Sequence, residues 1–282
     1  MRIVVVGARG QLAAAVVHAC QERHEVLAWD RATLDVTDGL AVASAVQQAR
    51  PDVIVNGAAY NAVDAAETHP VEALQLNAMA VRNLARAAAD TGATLVHYGS
   101  DFVFDGRASK PYVEDDPANP RSAYAASKLL GEWFASDAPK AYVLRVESLF
   151  GTAPGAGPAK GSVAGIVNAL RAGTVATVFE DRTVSPTYVI DGARATLALL
   201  ERDADPGLYH CVNSGQCTWH ELAIEAARLL GVEPRFNVVR FADVSLPAAR
   251  PQFCALSNRK LAEAAFVMPT WQDALERYLR PG

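Results

Sequence analysis

The sequence predicts an α/β fold: a parallel sheet with helices on both faces, followed by a smaller, less regular lobe. Two observations carry this. Short apolar strand-like runs alternate with amphipathic helical stretches through the first half of the chain, and a glycine-bearing turn joins the first strand to the first helix.

The elements follow in order. Arg2–Gly7 (RIVVVG) is a strand closed by glycine, and a helical pattern runs from Gln11 to about Glu22. Glu25–Asp30 is a second strand and Gly39–Ala49 a second helix. Asp52–Ala59 is a third strand, Ala80–Gly92 ends a long helix, and Thr94–Ser100 is a fourth strand. Beyond a helix holding the pentapeptide YAASK (Tyr124 to Lys128), Ala141–Gly151 is a further strand. Gly151–Ser162, rich in Gly, Pro and Ala, lacks apolar periodicity and reads as a loop. Helical patterns recur at Ser162–Ala172, Val189–Glu201, Trp219–Leu230 and Trp271–Leu279. The expected division is a dinucleotide-binding domain over 1–150 and a mainly substrate-binding lobe over 151–282, with some segments returning to the main sheet.

Composition narrows the function. Of 282 residues, 51% are hydrophobic, enough for a real core and too many for a disordered chain. A net charge of -5 argues against nucleic-acid and anionic-membrane partners, which call for a basic face. Cys20, Cys211, Cys217 and Cys254 form no CxxC pair and read as free thiols in a reducing cytoplasm rather than as disulfides or metal ligands. The N-terminus lacks the long apolar region of a signal peptide, and no apolar run approaches membrane-spanning length. A soluble cytoplasmic protein is expected.

The turn VVVGARGQLA sets Gly7, Gly10 and Ala13 in a G-x-x-G-x-x-A pattern. Small residues there let the backbone approach a pyrophosphate, and the helix N-terminus that follows offers free N–H groups to it. A doubly wound, Rossmann-type sheet holding NADPH or NADH is the expectation. Asp30, ending the second strand, is placed to accept hydrogen bonds from an adenosine ribose, whereas Arg31 suits a 2′-phosphate, so the choice between NAD and NADP stays open. Asp35 and Val36 border the adenine position, and Thr37 or Asp38 caps the next helix. The small residues of NGAAY, with Ala58, Ala59 and Tyr60, suit a strand passing beside a cofactor.

Ser100 ends the fourth strand, where ligands bind in open parallel sheets. Tyr124 and Lys128 lie on one face of the next helix. Alone, such a pair is a surface contact worth about 0.2–0.5 kcal/mol. With the phosphate turn upstream and Ser100 between, it becomes a proposed acid and its tuning charge. A phenol titrates at about 10 in water, and a neighbouring ammonium stabilises phenolate. Ser100 would donate to the substrate oxygen, Tyr124 would protonate it, and both Tyr124 and Lys128 would border the cofactor.

Taken together, G-x-x-G-x-x-A, NGAAY, HYGSDFVFDG, YAASK, VSPTYVID and ARPQFCALSNRKL resemble, in order and spacing, the extended short-chain dehydrogenases, and among them the dTDP-4-dehydrorhamnose reductase family of sugar-nucleotide 4-ketoreductases. The resemblance implies reduction of the 4-keto group of a nucleotide-diphosphate 6-deoxysugar. It assigns Ser100, Tyr124 and Lys128 to the reaction, Gly10, Gln11 and Leu12 to the pyrophosphate and Asp30 to the ribose. Asp101 and Ser148 fall at the sugar, with Arg182 and Arg250 as contacts for the diphosphate. A homodimer is the assembly to test for, and no metal is expected: Ala15 sits where some members carry a subunit-linking acid. The sequence departs from the family at Ser148, which replaces a tryptophan, and at Glu147 beside it, which adds a charge. A 4,6-dehydratase would carry an Asp–Glu pair after the Ser/Thr, whereas Ser100 is followed by Asp101 and Phe102. A 4-epimerase and a dinucleotide-binding regulatory subunit, like that of methionine adenosyltransferase, remain as alternatives. His97, His210 and His220 read as packing or capping residues.

Overall fold

The computed structural model describes residues 1–280. Its centre is a six-stranded parallel sheet built from β1 (Arg2–Val6), β2 (Glu25–Trp29), β3 (Val53–Asn56), β4 (Thr94–Ser100), β5 (Ala141–Val146) and β8 (Gly207–His210), in the order β2-β1-β3-β4-β5-β8. Alternation along each strand sends neighbouring side chains to opposite layers. Ile3 and Val5 of β1 pack with α1 (Gln11–Cys20) and α8 (Val189–Glu201), whereas Val4 and Val6 pack with α2 (Gly39–Ala49) and α5 (Ala80–Thr91). Both faces are thus covered, as the apolar strands required.

Four further strands and the remaining helices follow. α6 (Ala123–Ser136) covers β4 and β5, with Ser122 accepting from the Ala125 N–H at 3.2 Å as its cap. A third core gathers α7 (Ser162–Arg171), β6 (Ala176–Phe179), β7 (Thr183–Val184), α9 (Trp219–Leu230) and α11 (Trp271–Leu279). There β6 pairs with β10 (Phe236–Val239) and β7 with β9 (Cys217–Thr218). β8, late in the chain, lies in the main sheet beside β5.

Two strands stop earlier than the apolar runs suggest. β3 ends at Asn56, whose side chain accepts from the Ala58 N–H at 3.1 Å and bends the chain. β5 ends at Val146, because Ser148 takes a left-handed backbone (φ +45°) that a strand cannot hold. The long helix expected to end near Gly92 runs from α4 (Pro70–Leu74) through a π-helical turn, Gln75–Met79, into α5. Two short helices, α3 (Ala65–Thr68) and α10 (Arg259–Ala264), lie in stretches whose brevity hides any periodicity.

Candidate active site

The turn between β1 and α1 is built for a close approach. Gly7 has φ +69°, and a Cβ on it would stand 2.6 Å from the Ala58 nitrogen; one on Gly57 would stand 2.6 Å from the Ala13 Cβ. Turn, strand end and helix start therefore touch along a line that side chains would block. Gly10 caps α1 with no side-chain bond to the first-turn N–H groups of Gln11 and Leu12, which leaves a polarised helix end beside the cradle. The residues fit a pyrophosphate. Leu12 is buried and offers only its backbone, while Gln11 donates from Nε2 to the Gly151 carbonyl at 2.8 Å. Gly157 N–H donates to the Arg9 carbonyl at 3.1 Å, so the 151–162 loop rests on this turn.

Around the expected adenosine position, Asp30 Oδ1 accepts from the Ala32 and Thr33 N–H groups and from the Thr33 hydroxyl. Those bonds hold its carboxyl below the usual range, and Oδ2 lies 3.7 Å from Arg9 Nε. Arg9, not only its neighbour Arg31, is thus an exposed cation here. Asp35 is held below its usual range by Thr37, Val36 is buried, and Asp38 caps α2. Ala58, Ala59 and Tyr60 are half-buried behind β3.

Ser100 and Tyr124 come together at the carboxyl end of β4. The Ser100 hydroxyl donates to Asp101 Oδ1 at 3.1 Å and accepts from the Phe102 N–H at 3.2 Å, beside the Tyr124 phenol. Phe102 meets the Tyr124 ring edge-on, with centroids 5.5 Å apart. Burial raises the phenol's pKa and the Asp101 charge adds to this, while Ser100 opposes it. Lys128 is not what tunes it: its Nζ donates to the Tyr98 carbonyl at 2.5 Å, and burial lowers the ammonium to about 8. The Lys128 ammonium is anchored on β4, and burial with the Asp101 charge keeps the Tyr124 phenol protonated.

Behind these groups lies a buried polar network. Asp101, Glu147 and Cys254 each bring one ligand atom to within 4.8 Å of the others, all three buried. Glu147 was expected to put a charge into the sugar pocket. Instead it is 1% exposed, its Oε2 accepts from the Ser185 N–H at 2.7 Å, and burial pushes its carboxyl well above the carboxylate range. Ser148 is half-buried, on a left-handed backbone.

Arg182 donates from Nε to the Pro251 carbonyl at 3.0 Å and from NH2 towards Cys254 Sγ at 3.7 Å, and lies 5.9 Å from the Phe102 ring centre. It also walls a cavity of about 350 Å³ between α7 and β6. Arg250, expected at a phosphate, instead grips both carboxylate oxygens of Asp64 at 2.8 Å. His97 and His210 are buried, each hydrogen-bonded through Nδ1, as packing residues are.

Three supporting residues escaped the sequence reading. Asn77, in the π turn, bonds the Tyr60 N–H at 2.8 Å, the Tyr60 carbonyl at 3.0 Å and the Ser127 hydroxyl at 3.0 Å, tying the loop after β3 to α6. Its sign was a lone amide in the apolar stretch QLNAM. Glu132 and Arg145 form a buried two-pronged ion pair at 2.8–3.1 Å beside Gly99. An arginine amid the apolar residues of β5 was the sign for that one.

A profile of the family described as the RmlD substrate binding domain matches residues 1–281. The chain belongs to that family. Among RmlD-family relatives, the dTDP-4-dehydrorhamnose reductase of Streptomyces griseus is 36% identical, over 97% of this chain and 91% of that one. Two crystal structures superpose with a TM-score of 0.92. One is the dTDP-4-dehydrorhamnose reductase of Clostridium acetobutylicum ATCC 824 (32% identical; 99% of this chain and 98% of that one). The other is that of Bacillus anthracis str. Ames in complex with NADP (30% identical; 98% of each chain).

Proposed function

We propose that the protein is a dTDP-4-dehydrorhamnose reductase: with NADPH or NADH it reduces the 4-keto group of a dTDP-linked 6-deoxysugar. The observation that carries this is the pairing of a protonated Tyr124 with Ser100 at the carboxyl end of β4, on the sheet whose first turn is shaped for a pyrophosphate. Gly7, Gly10, Gln11 and Leu12 would hold the pyrophosphate; Asp30, Arg31, Asp35 and Val36 the adenosine; Ala58, Ala59, Tyr60, Tyr124 and Lys128 the remainder. Bound there, the nicotinamide supplies hydride to the carbonyl carbon.

The chain's own part is proton delivery. Tyr124 gives its proton to the oxygen that becomes the 4-hydroxyl, and Ser100 donates a hydrogen bond to that same oxygen. Tyr124 keeps its proton at neutral pH, as an ordinary phenol does, and so has one to give; burial raises its pKa. The lobe built mainly from 151 onward would take the nucleotide end, with Arg182 nearest the diphosphate and Asp101 and Ser148 at the sugar. The relatives' reductase names favour this reading over a 4-epimerase or a regulatory subunit. No described helix is long and apolar enough to cross a membrane.

The test is optical: NADPH and NADH oxidation with dTDP-4-dehydrorhamnose and with other nucleotide-linked 4-keto sugars. Turnover with the dTDP sugar is expected. Tight NADPH binding without oxidation by any of them would overturn the reading in favour of a binding subunit.

A further inference from the structure

We propose, resting on the reductase reading above, that the short helix α3 carries the grip of the lobe to the proton donor, with Asp64 and Glu67 as positioning residues for Tyr124.

The contacts are continuous. In the lobe, Arg182, which the reductase reading puts nearest the diphosphate, donates from Nε to the Pro251 carbonyl at 3.0 Å. Its neighbour in the chain, Arg250, holds both Asp64 carboxylate oxygens at 2.8 Å, and the Ala248 N–H donates to Asp64 Oδ1 at 3.1 Å. Asp64 stands directly before α3. Three residues on, Glu67 Oε1 accepts from the Ala123 N–H at 2.8 Å; Ala123 opens α6 and precedes Tyr124. Between the two acids, Ala66 is fully buried and packs with Tyr124 in one apolar cluster.

Each link has a physical reason to matter. α6 begins with N–H groups that no helical carbonyl can reach. Ser122 takes the one on Ala125, and Glu67 takes the one on Ala123 with a carboxylate at the positive end of the helix dipole. The donor's first turn is thus held from outside α6, by a residue 56 positions earlier in the chain. At the other end, Arg250 and Asp64 form a two-pronged, charge-assisted pair, which fixes direction as well as distance. The Arg250 side chain is 16% exposed, so water and salt weaken this pair less than a surface bridge. Asp64 and Glu67, three residues apart, share one side of a single helical turn, so a shift of one carries the other.

Substrate drawn against Arg182 and the 248–251 segment thereby steadies α3, and α3 steadies the phenol over the carbonyl oxygen. Binding energy from the nucleotide end is used where the proton is transferred. A second contact joins the same ends: Phe102 lies 5.9 Å from the Arg182 guanidinium and 5.5 Å from the Tyr124 ring. Changes at 64 or 67 leave Phe102 in place, so variants there isolate the route through α3.

The experiment compares the wild type with Glu67→Ala, Glu67→Gln, Asp64→Ala and the double alanine variant. For E67A we expect unchanged NADPH affinity, unchanged KM for the sugar nucleotide and a kcat lower by about tenfold. E67Q still offers an oxygen to Ala123 and should recover most of that loss. D64A should lower kcat similarly, and the double variant should lose no more than the worse single one, because the two acids are links in series. Independently of turnover, hydrogen exchange over the first turn of α6, read by mass spectrometry, should be about tenfold faster in D64A, although the Asp64 side chain bonds the lobe. Wild-type kcat in E67A, losses that multiply in the double variant, or wild-type exchange at α6 in D64A overturns the proposal. If D64A does not fold, the kcat of E67A and its rescue by E67Q decide. Faster exchange at α6 in D64A, in a protein whose wild type reduces no 4-keto sugar, refutes the reductase reading and leaves the α3 link standing.

Discussion

Burial and a neighbouring carboxylate raise the Tyr124 phenol above its ordinary value, and Lys128, one turn along α6, is held on the Tyr98 carbonyl. Its ammonium is itself out of water, and burial lowers it from 10.5 to about 8, with Glu132 partly opposing. The sign of the linkage follows. Between about 8 and 10.5 the unfolded chain binds a proton at Lys128 that the folded chain has released, so this residue makes stability rise with pH across that window. Below about 8 the buried charge is a cost to folding. Lys128→Met should therefore abolish most turnover, and urea unfolding should show the wild type gaining on the variant as pH rises through the window. A stability difference that does not vary with pH would show that the ammonium is not held at a cost.

Among the elements, the π turn between α4 and α5 has the clearest task. Its extra residue turns Asn77 inward, where one amide serves both polar groups of Tyr60 and the Ser127 hydroxyl. The fit with α6 is tight: a Cβ on Gly131 would stand 2.0 Å from the Asn77 carbonyl oxygen. Asn77→Ala would strip buried polar groups of partners, and chemical denaturation should register a loss of about 1–3 kcal/mol. A loss below that would mean the turn is held by packing alone. No such task was legible beforehand, because a π turn has no sequence period and its partners, Tyr60 and Ser127, are remote in the chain. Regular elements read differently. Gly39–Ala49, Thr94–Ser100, Val189–Glu201, Trp219–Leu230 and Trp271–Leu279 were anticipated to the residue, since apolar periodicity and end caps such as Asp38, Thr218 and Thr270 are local.

For the molecule as a whole, the same division holds. The alternation of apolar strands and helices announced the parallel sheet; Gly7 and Ser100 were singled out as parts of short motifs at strand ends, and Tyr124 by its spacing from Lys128 on a helix. What the motifs could not convey was electrostatic state, which depends on burial and on residues far apart in sequence. Glu147 reads as a charge in the sequence, yet burial pushes its carboxyl well above the carboxylate range; Arg250 reads as a phosphate contact, yet closes on Asp64. The central claim, that Tyr124 is the proton donor to a 4-keto sugar on a sheet that holds the dinucleotide, is tested most directly by Tyr124→Phe. NADPH oxidation with dTDP-4-dehydrorhamnose should fall by about 10²–10⁴-fold, with NADPH affinity, measured by fluorescence titration, unchanged. Wild-type turnover in that variant would contradict the account.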